Sequence, residues 1–203
     1  MFTSAFLKPF HYITILIIII TIFISCFFIP TISEDYVKFL NSYTIEISNK
    51  GYAWPSPGYT KINSYFGKRE SPTAGATSYH KGIDIAAPEG AYFVAIADGV
   101  ITYTGFLGGG GYTITLTTYN NLKVTYCHVS PYFIVAENQN VLQGEVIGKV
   151  GPKYIENIEG NQYKDETGKQ TNGATTGAHL HLGVRTQNNE YVNPLQLFSD
   201  IIE

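Results

Sequence analysis

Past residue 40 the chain almost loses helical periodicity and becomes a series of short β-branched and aromatic runs cut by glycine, proline and asparagine. That pattern excludes a helical bundle and points to strands joined by tight turns. Pro55, Pro57 and Gly58 punctuate its beginning. Residues 92–97 and 100–104 are strand-like and separated by Asp98-Gly99. After the flexible glycines at 108–111, residues 112–119 and 122–129 flank Asn120-Asn121, a two-residue turn that tolerates positive φ. Residues 145–150 and 179–184 supply further strands. The expected fold is all-β and antiparallel, without an internal repeat, and the folded domain is placed at 54–198. Residues 153–176 break the pattern. They are polar, aperiodic and glycine-containing, and form a long loop ending just before His179. Loops of that length in compact domains are often functional, so this one is expected to border the site.

The first sixth of the chain follows a different rule. From residue 9 to residue 33 there is no Lys, Arg, Asp or Glu. A helix rises about 1.5 Å per residue, so such a run can cross a hydrocarbon core of about 30 Å. The apolar stretch is longer than a cleaved secretory signal requires, and no A-x-A site follows it. The Phe23-Ile24-Ser25-Cys26 piece only faintly resembles a lipoprotein cleavage site. The reading is therefore a tip and transmembrane anchor at 1–33, with the membrane met through residues 13–32. A short connector follows at 34–53. Lys8 before the run, with Glu34 and Asp35 after it, places the remainder outside the cytoplasm as a single-pass protein. With charged residues at 14% and a net charge of −3, the chain has no basic surface for nucleic acid. Its two cysteines, Cys26 and Cys127, form no disulfide framework, and Cys127 reads as a small buried strand residue.

Four of the five histidines fall in three short pieces: His80-Lys81-Gly82-Ile83-Asp84, Tyr126-Cys127-His128 and His179-Leu180-His181. In an extended strand, side chains at i, i+2 and i+4 share a face. His80 and Asp84 then point one way, with Gly82 between them leaving space for an ion. His179 and His181 share a face, with Leu180 and Leu182 turned to the core. Val124, Tyr126 and His128 share another, with Cys127 turned away. Three strands can thus aim His80, Asp84, His128, His179 and His181 into one groove. Zn²⁺ favours four ligands, and a catalytic site uses three protein ligands and keeps one position open. If Asp84 is one of the three, two histidines remain for proton transfer and charge stabilisation. Bound zinc would supply the Lewis acid and a water that deprotonates near neutrality.

The motifs together resemble LytM/lysostaphin-type zinc metallopeptidases, peptidase family M23. The resemblance runs from about Trp54 to Leu195. Ile62-Asn63-Ser64-Tyr65-Phe66-Gly67-Lys68-Arg69 is similar to the family's opening segment, and His80 to Gly90 to its HxGxDxxxPxG signature. Asp98-Gly99-Val100-Ile101, Tyr126-Cys127-His128-Val129-Ser130, Gly144-Glu145-Val146-Ile147-Gly148, Thr176-Gly177-Ala178-His179-Leu180-His181 and Val192-Asn193-Pro194 complete it. The resemblance implies a compact antiparallel β domain, a glucose-permease-domain-like β sandwich. It implies His80, Asp84 and His181 as zinc ligands and His128 and His179 as the catalytic pair. It further implies hydrolysis of peptide bonds in bacterial peptidoglycan. The loop at 153–176 looks longer than the family's. The competing reading is a scaffold or complex subunit of the envelope that binds a protein partner without cutting.

Overall fold

The computed structural model describes residues 16–20 and 34–202. Most of the apolar run read as a membrane anchor lies outside those residues. Among the described residues no helix is long and apolar enough to cross a membrane. Helix α1 (Glu34–Ser42) opens with Glu34 and Asp35, whose negative charge suits the electropositive end of a helix.

Residues 43–203 make one compact unit. In chain order its strands are β1 (Ile62–Ser64), β2 (Gly67–Lys68), β3 (Tyr79–His80), β4 (Ile83–Ile85), β5 (Tyr92–Val94) and β6 (Gly99–Phe106). They continue as β7 (Tyr112–Thr118), β8 (Lys123–Cys127), β9 (Asn140–Val141), β10 (Val146–Lys149), β11 (Leu180–Arg185) and β12 (Tyr191–Val192). The main sheet runs β1-β4-β11-β8-β7-β6-β9, with β12 also paired to β11, and every pairing is antiparallel. Two small sheets, β10-β5 and β2-β3, stand beside it. The all-β antiparallel expectation holds.

Period-two alternation places the core. Leu180, Leu182 and Val184 of β11, Ile114 and Leu116 of β7, and Val124 and Tyr126 of β8 are buried on one face. Each such aliphatic side chain contributes about 1.5–3 kcal/mol by leaving water. The Tyr126 ring stacks on Phe93 of β5 at 5.2 Å, and its hydroxyl accepts the Ile96 N–H at 3.0 Å. That contact ties the small sheet to the large one. Trp54 packs edge-on to Phe198 at 5.1 Å and donates Nε1–H to the Tyr59 carbonyl.

The hairpin between β7 and β8 forms where the sequence places it, but its loop is one residue longer. Thr118 and Leu122 are bonded, leaving Tyr119, Asn120 and Asn121 in the loop, and Asn121 takes φ 65°. A type I turn closed by a left-handed residue fits the strand twist. The segment 79–85 is not one extended strand. It bends at Lys81-Gly82, so His80 pairs with Gly67 and Asp84 with His181. The long polar loop holds only two isolated bridges, Tyr154 to Thr171 and Lys164 to Gln170. Asp165 organises it. Its carboxylate accepts the Thr167 hydroxyl at 2.6 Å, the Tyr154 hydroxyl at 2.8 Å, and the N–H groups of Thr167 and Lys169. The hydroxyls of Thr167 and Tyr154 chiefly hold its carboxyl below the usual range.

Candidate active site

The face of the main sheet opposite the core carries the chemistry. His181, Gly183 and Arg185 alternate along β11 on that face, and Asp84 pairs across to His181. Gly82 does not leave room for an ion. A Cβ there would stand 2.3 Å from the Leu182 carbonyl and 2.8 Å from the His181 ring. The glycine instead lets two backbones approach and seats the imidazole of His181.

His128 reaches the groove by a route that alternation misses. Tyr126 faces the core, so a continuing strand would bury His128 beside it, and Cys127 would be the residue in the groove. The strand ends at Cys127, and His128 takes φ 58°, a left-handed conformation. That backbone costs a non-glycine residue about 1–2 kcal/mol. It is held by three hydrogen bonds: His128 N–H to Gly110 O, Gly151 N–H to His128 O, and Val129 N–H to Tyr112 O. The imidazole thereby turns toward His179, with ring centroids 4.7 Å apart. Cys127 also borders the groove but is 7% exposed, and burial pushes its thiol up to about 12. It is no nucleophile at neutral pH.

The side chains singled out in the sequence, His80, Asp84, His128, His179 and His181, stand around one centre. Asp84 Oδ1 lies 2.8 Å from His181 Nδ1, 3.2 Å from His80 Nε2 and 3.4 Å from His179 Nε2. His80 Nε2 lies 3.0 Å from His181 Nδ1. Metal–ligand bonds of about 2.0–2.2 Å in a tetrahedron put neighbouring donor atoms about 3.3–3.6 Å apart. The spacings among His80, Asp84 and His181, 2.8 to 3.2 Å, fall somewhat below that edge length, and the three can hold a metal ion once they part slightly. The donor chemistry agrees. His80 Nδ1 donates to the Tyr65 carbonyl at 2.9 Å, so neutral His80 presents only a lone pair at Nε2. That lone pair faces the donor atoms of His181 and Asp84, an arrangement that a cation relieves.

The other two histidines are oriented in the same way. His128 Nδ1 donates to the Asn172 carbonyl at 2.7 Å, and His179 Nδ1 donates to the Gly177 carbonyl at 2.9 Å. Each neutral ring therefore offers Nε2 as a proton acceptor toward the centre. Burial would raise the Asp84 carboxyl, but the close imidazoles of His179, His181 and His80 outweigh it and hold it far below the carboxylate range. Burial, with the neighbouring rings of His179 and His181, pushes His128 down to about 3. For His179 burial opposes the proton, yet Asp84 wins and its pKa rises. For His181 burial prevails and its pKa falls.

Sequence reasoning gave no role to the residues behind these. Arg69 sends NH1 to Asp84 Oδ2 at 3.1 Å and also bonds Ser64 Oγ. Asn172, fully buried, anchors His128 through its carbonyl and the neighbouring strands through its side chain. Asn172-Gly173 is a turn-type dipeptide, but nothing local in the sequence ties it to His128. Two grooves meet at His128 and His181. One runs past Leu107, Thr125, Gly183 and Arg185, and the other past Asn63, Glu70, Thr176 and Gly177.

Residues 78–194 match Peptidase family M23, which is more than half of the chain. The chain belongs to peptidase family M23. Over 139 residues this M23 chain is 39% identical to the DD-carboxypeptidase/endopeptidase Mpg of Neisseria meningitidis serogroup B, covering 68% of itself and 27% of that protein. It therefore spans about a quarter of the length of the curated relative. Among solved structures it is similar to a zinc-containing peptidase from Vibrio cholerae, with TM-score 0.54 and 26% identity over 73% of this chain and 39% of that one. The catalytic domain of lysostaphin from Staphylococcus simulans has TM-score 0.54 and 23% identity over 80% of this chain and 97% of that one. The second likeness shows the fold alone: the M23 domain shares the LytM-type all-β architecture.

Proposed function

We propose that this M23 chain is a zinc-dependent endopeptidase of bacterial peptidoglycan, held at the membrane by residues 13–32 with its β domain outside the cytoplasm. The observation that carries the reading is the convergence of His80 Nε2, Asp84 Oδ1 and His181 Nδ1, with two further histidines offering Nε2 to the same centre. His80, Asp84 and His181 would hold zinc, which supplies a Lewis acid that polarises a peptide carbonyl and makes water nucleophilic near neutral pH. His128 and His179 carry the protons. Each is fixed through Nδ1, so Nε2 can accept a proton from the attacking water and return it to the leaving amine. A protonated ring facing the developing oxyanion stabilises it. Arg69 holds Asp84 in position through the oxygen directed away from the histidines. The names of the Neisseria relative and the Vibrio structure support the peptidase and zinc parts of the reading. Anchoring rests on the uncharged run from residue 9 to residue 33.

The test uses the full chain in detergent. Zinc is measured by mass spectrometry of the metal, and purified peptidoglycan from several wall types is digested and its fragments sequenced. Stoichiometric zinc with new peptide ends supports the enzyme and names the bond. Zinc without cleavage of any wall overturns it in favour of an envelope scaffold with a protein partner. Recovery in the soluble rather than the membrane fraction of cells overturns the anchor.

A further inference from the structure

One end of the groove carries charge that hydrolysis itself does not use. Arg185 lies on the same face of β11 as His181 and Gly183, and is half-buried where the groove ends. Its Nε is buried and makes no hydrogen bond. Its guanidinium carbon sits 5.5 Å from the centroid of the Tyr191 ring, and Lys81 Nζ sits 5.0 Å from the same centroid. Tyr191 thus frames two cations from separate elements, β11 and the bend after β3. Among the described residues neither pairs with a carboxylate, and the Arg–carboxylate ion pair is Arg69 with Asp84. Between His181 and Arg185 stands Gly183, where a Cβ would press on the Lys81 carbonyl at 3.3 Å. With no side chain there, the floor from the metal-side histidine to Arg185 is open.

Two cations without a counter-charge, one with its guanidinium Nε buried and unbonded, attract an anion, and an arginine fork matches the two oxygens of a carboxylate. The groove leads to a peptide-cutting centre, so the anion belongs to the peptide being cut. Four steps of strand run from His181 to Arg185, about 13 Å at roughly 3.3 Å each. An extended peptide covers that span in about four residues, fewer once the arginine's own reach is counted. We propose that Arg185 and Lys81, framed on Tyr191, form a carboxylate subsite for an anionic peptide, holding a substrate carboxylate about two to four residues from the bond cut. The proposal rests on the hydrolase reading above and gives it a substrate class: stem peptides whose carboxyl groups are free rather than amidated.

The test compares disaccharide-linked stem peptides with free carboxylates against the same material after chemical amidation. Binding to the full chain in detergent is read by calorimetry at low salt, and cleavage is read in parallel. The free acid is expected to bind about tenfold tighter, the scale of one charge-assisted pair near a surface. In Arg185→Gln the ratio falls below about twofold and in Lys81→Gln it falls part-way, while Lys50→Gln, outside both grooves, keeps it. If Arg185→Gln fails to fold, judged by Trp54 fluorescence, the exposed Lys81 variant decides. Equal binding of the two materials, no binding of either, or a preference that survives both substitutions overturns the subsite. Cleavage of both forms without preference removes the subsite and leaves the hydrolase. Selective binding without cleavage leaves the subsite and removes the hydrolase.

Discussion

Asn172→Ala tests whether the site's rigidity comes from one buried amide. The Asn172 side chain is fully buried, its Oδ1 accepting the Tyr112 N–H at 2.8 Å and its Nδ2 donating to the Val129 carbonyl at 3.0 Å. Truncation leaves one buried donor and one buried acceptor without partners. Each costs about 1–3 kcal/mol, so the variant should lose about 2–6 kcal/mol. With a urea slope of about 1–3 kcal/mol/M, even the low end moves the midpoint down by roughly 1 M. The single tryptophan, Trp54, is buried against Phe198 and reports unfolding of this domain. Hydrolysis should fall with stability, because the carbonyl that receives His128 Nδ1–H belongs to the same residue. Zinc content should stay, since none of His80, Asp84 and His181 bonds to Asn172. Asn172→Asp is the sharper variant. It keeps an acceptor for Tyr112 but sets a carboxylate oxygen against the Val129 carbonyl, and should be destabilised as well. A midpoint within about 0.3 M of the parent for Asn172→Ala, or an unaltered Asn172→Asp, would refute the reasoning.

Other expectations follow from the same geometry. His128→Gln should keep zinc and lose about 10²- to 10⁴-fold in turnover, whereas Asp84→Asn should lose zinc, both read by metal analysis beside peptidoglycan digestion. Gly82→Ala puts a methyl 2.3 Å from the Leu182 carbonyl and 2.8 Å from the His181 ring, so zinc affinity measured by chelator competition should drop. Cys127 should resist alkylation at pH 8 in the folded chain and react at once in urea, since burial holds the thiol up to about 12. In the zinc-free chain His128 is kept neutral by burial, down to about 3, whereas an unfolded histidine takes a proton near about 6.5. Its share of stability is therefore complete above about pH 6.5 and drains as pH falls toward about 3. The urea midpoint should decline over that interval, less steeply in His128→Gln.

What the sequence made legible was what repeats locally. Alternation in β11 put Leu180 and Leu182 in the core and left His181 on the opposite face, because both faces of one strand are written in consecutive letters. The hairpin around Asn120 and Asn121 was legible for the same reason, to within one residue of its loop. His128 was not, because a left-handed histidine carries no compositional mark and reverses the face that counting assigns. Gly82 was visible, but its reason was long-range: the His181 ring it makes room for lies on another strand. Arg69 and Asn172 act on residues far along the chain, and only the folded sheet brings them there. The uncharged run at the N-terminus was the plainest signal of all and lies mostly outside the described residues.

The long polar segment closes on itself at its base. Tyr154 bridges Thr171, and the Asn172 N–H bonds the Lys153 carbonyl at 2.9 Å. Between those residues lies a cassette clipped in at two adjacent points, with the Tyr163 ring lying against Gly75 and Gly109 as a further footing. The clip ends on Asn172, whose carbonyl receives the His128 imidazole, so the base of the cassette and the seat of that ring are one residue. A loosened base would therefore reach the imidazole before it reached His80, Asp84 or His181, none of which bonds to Asn172.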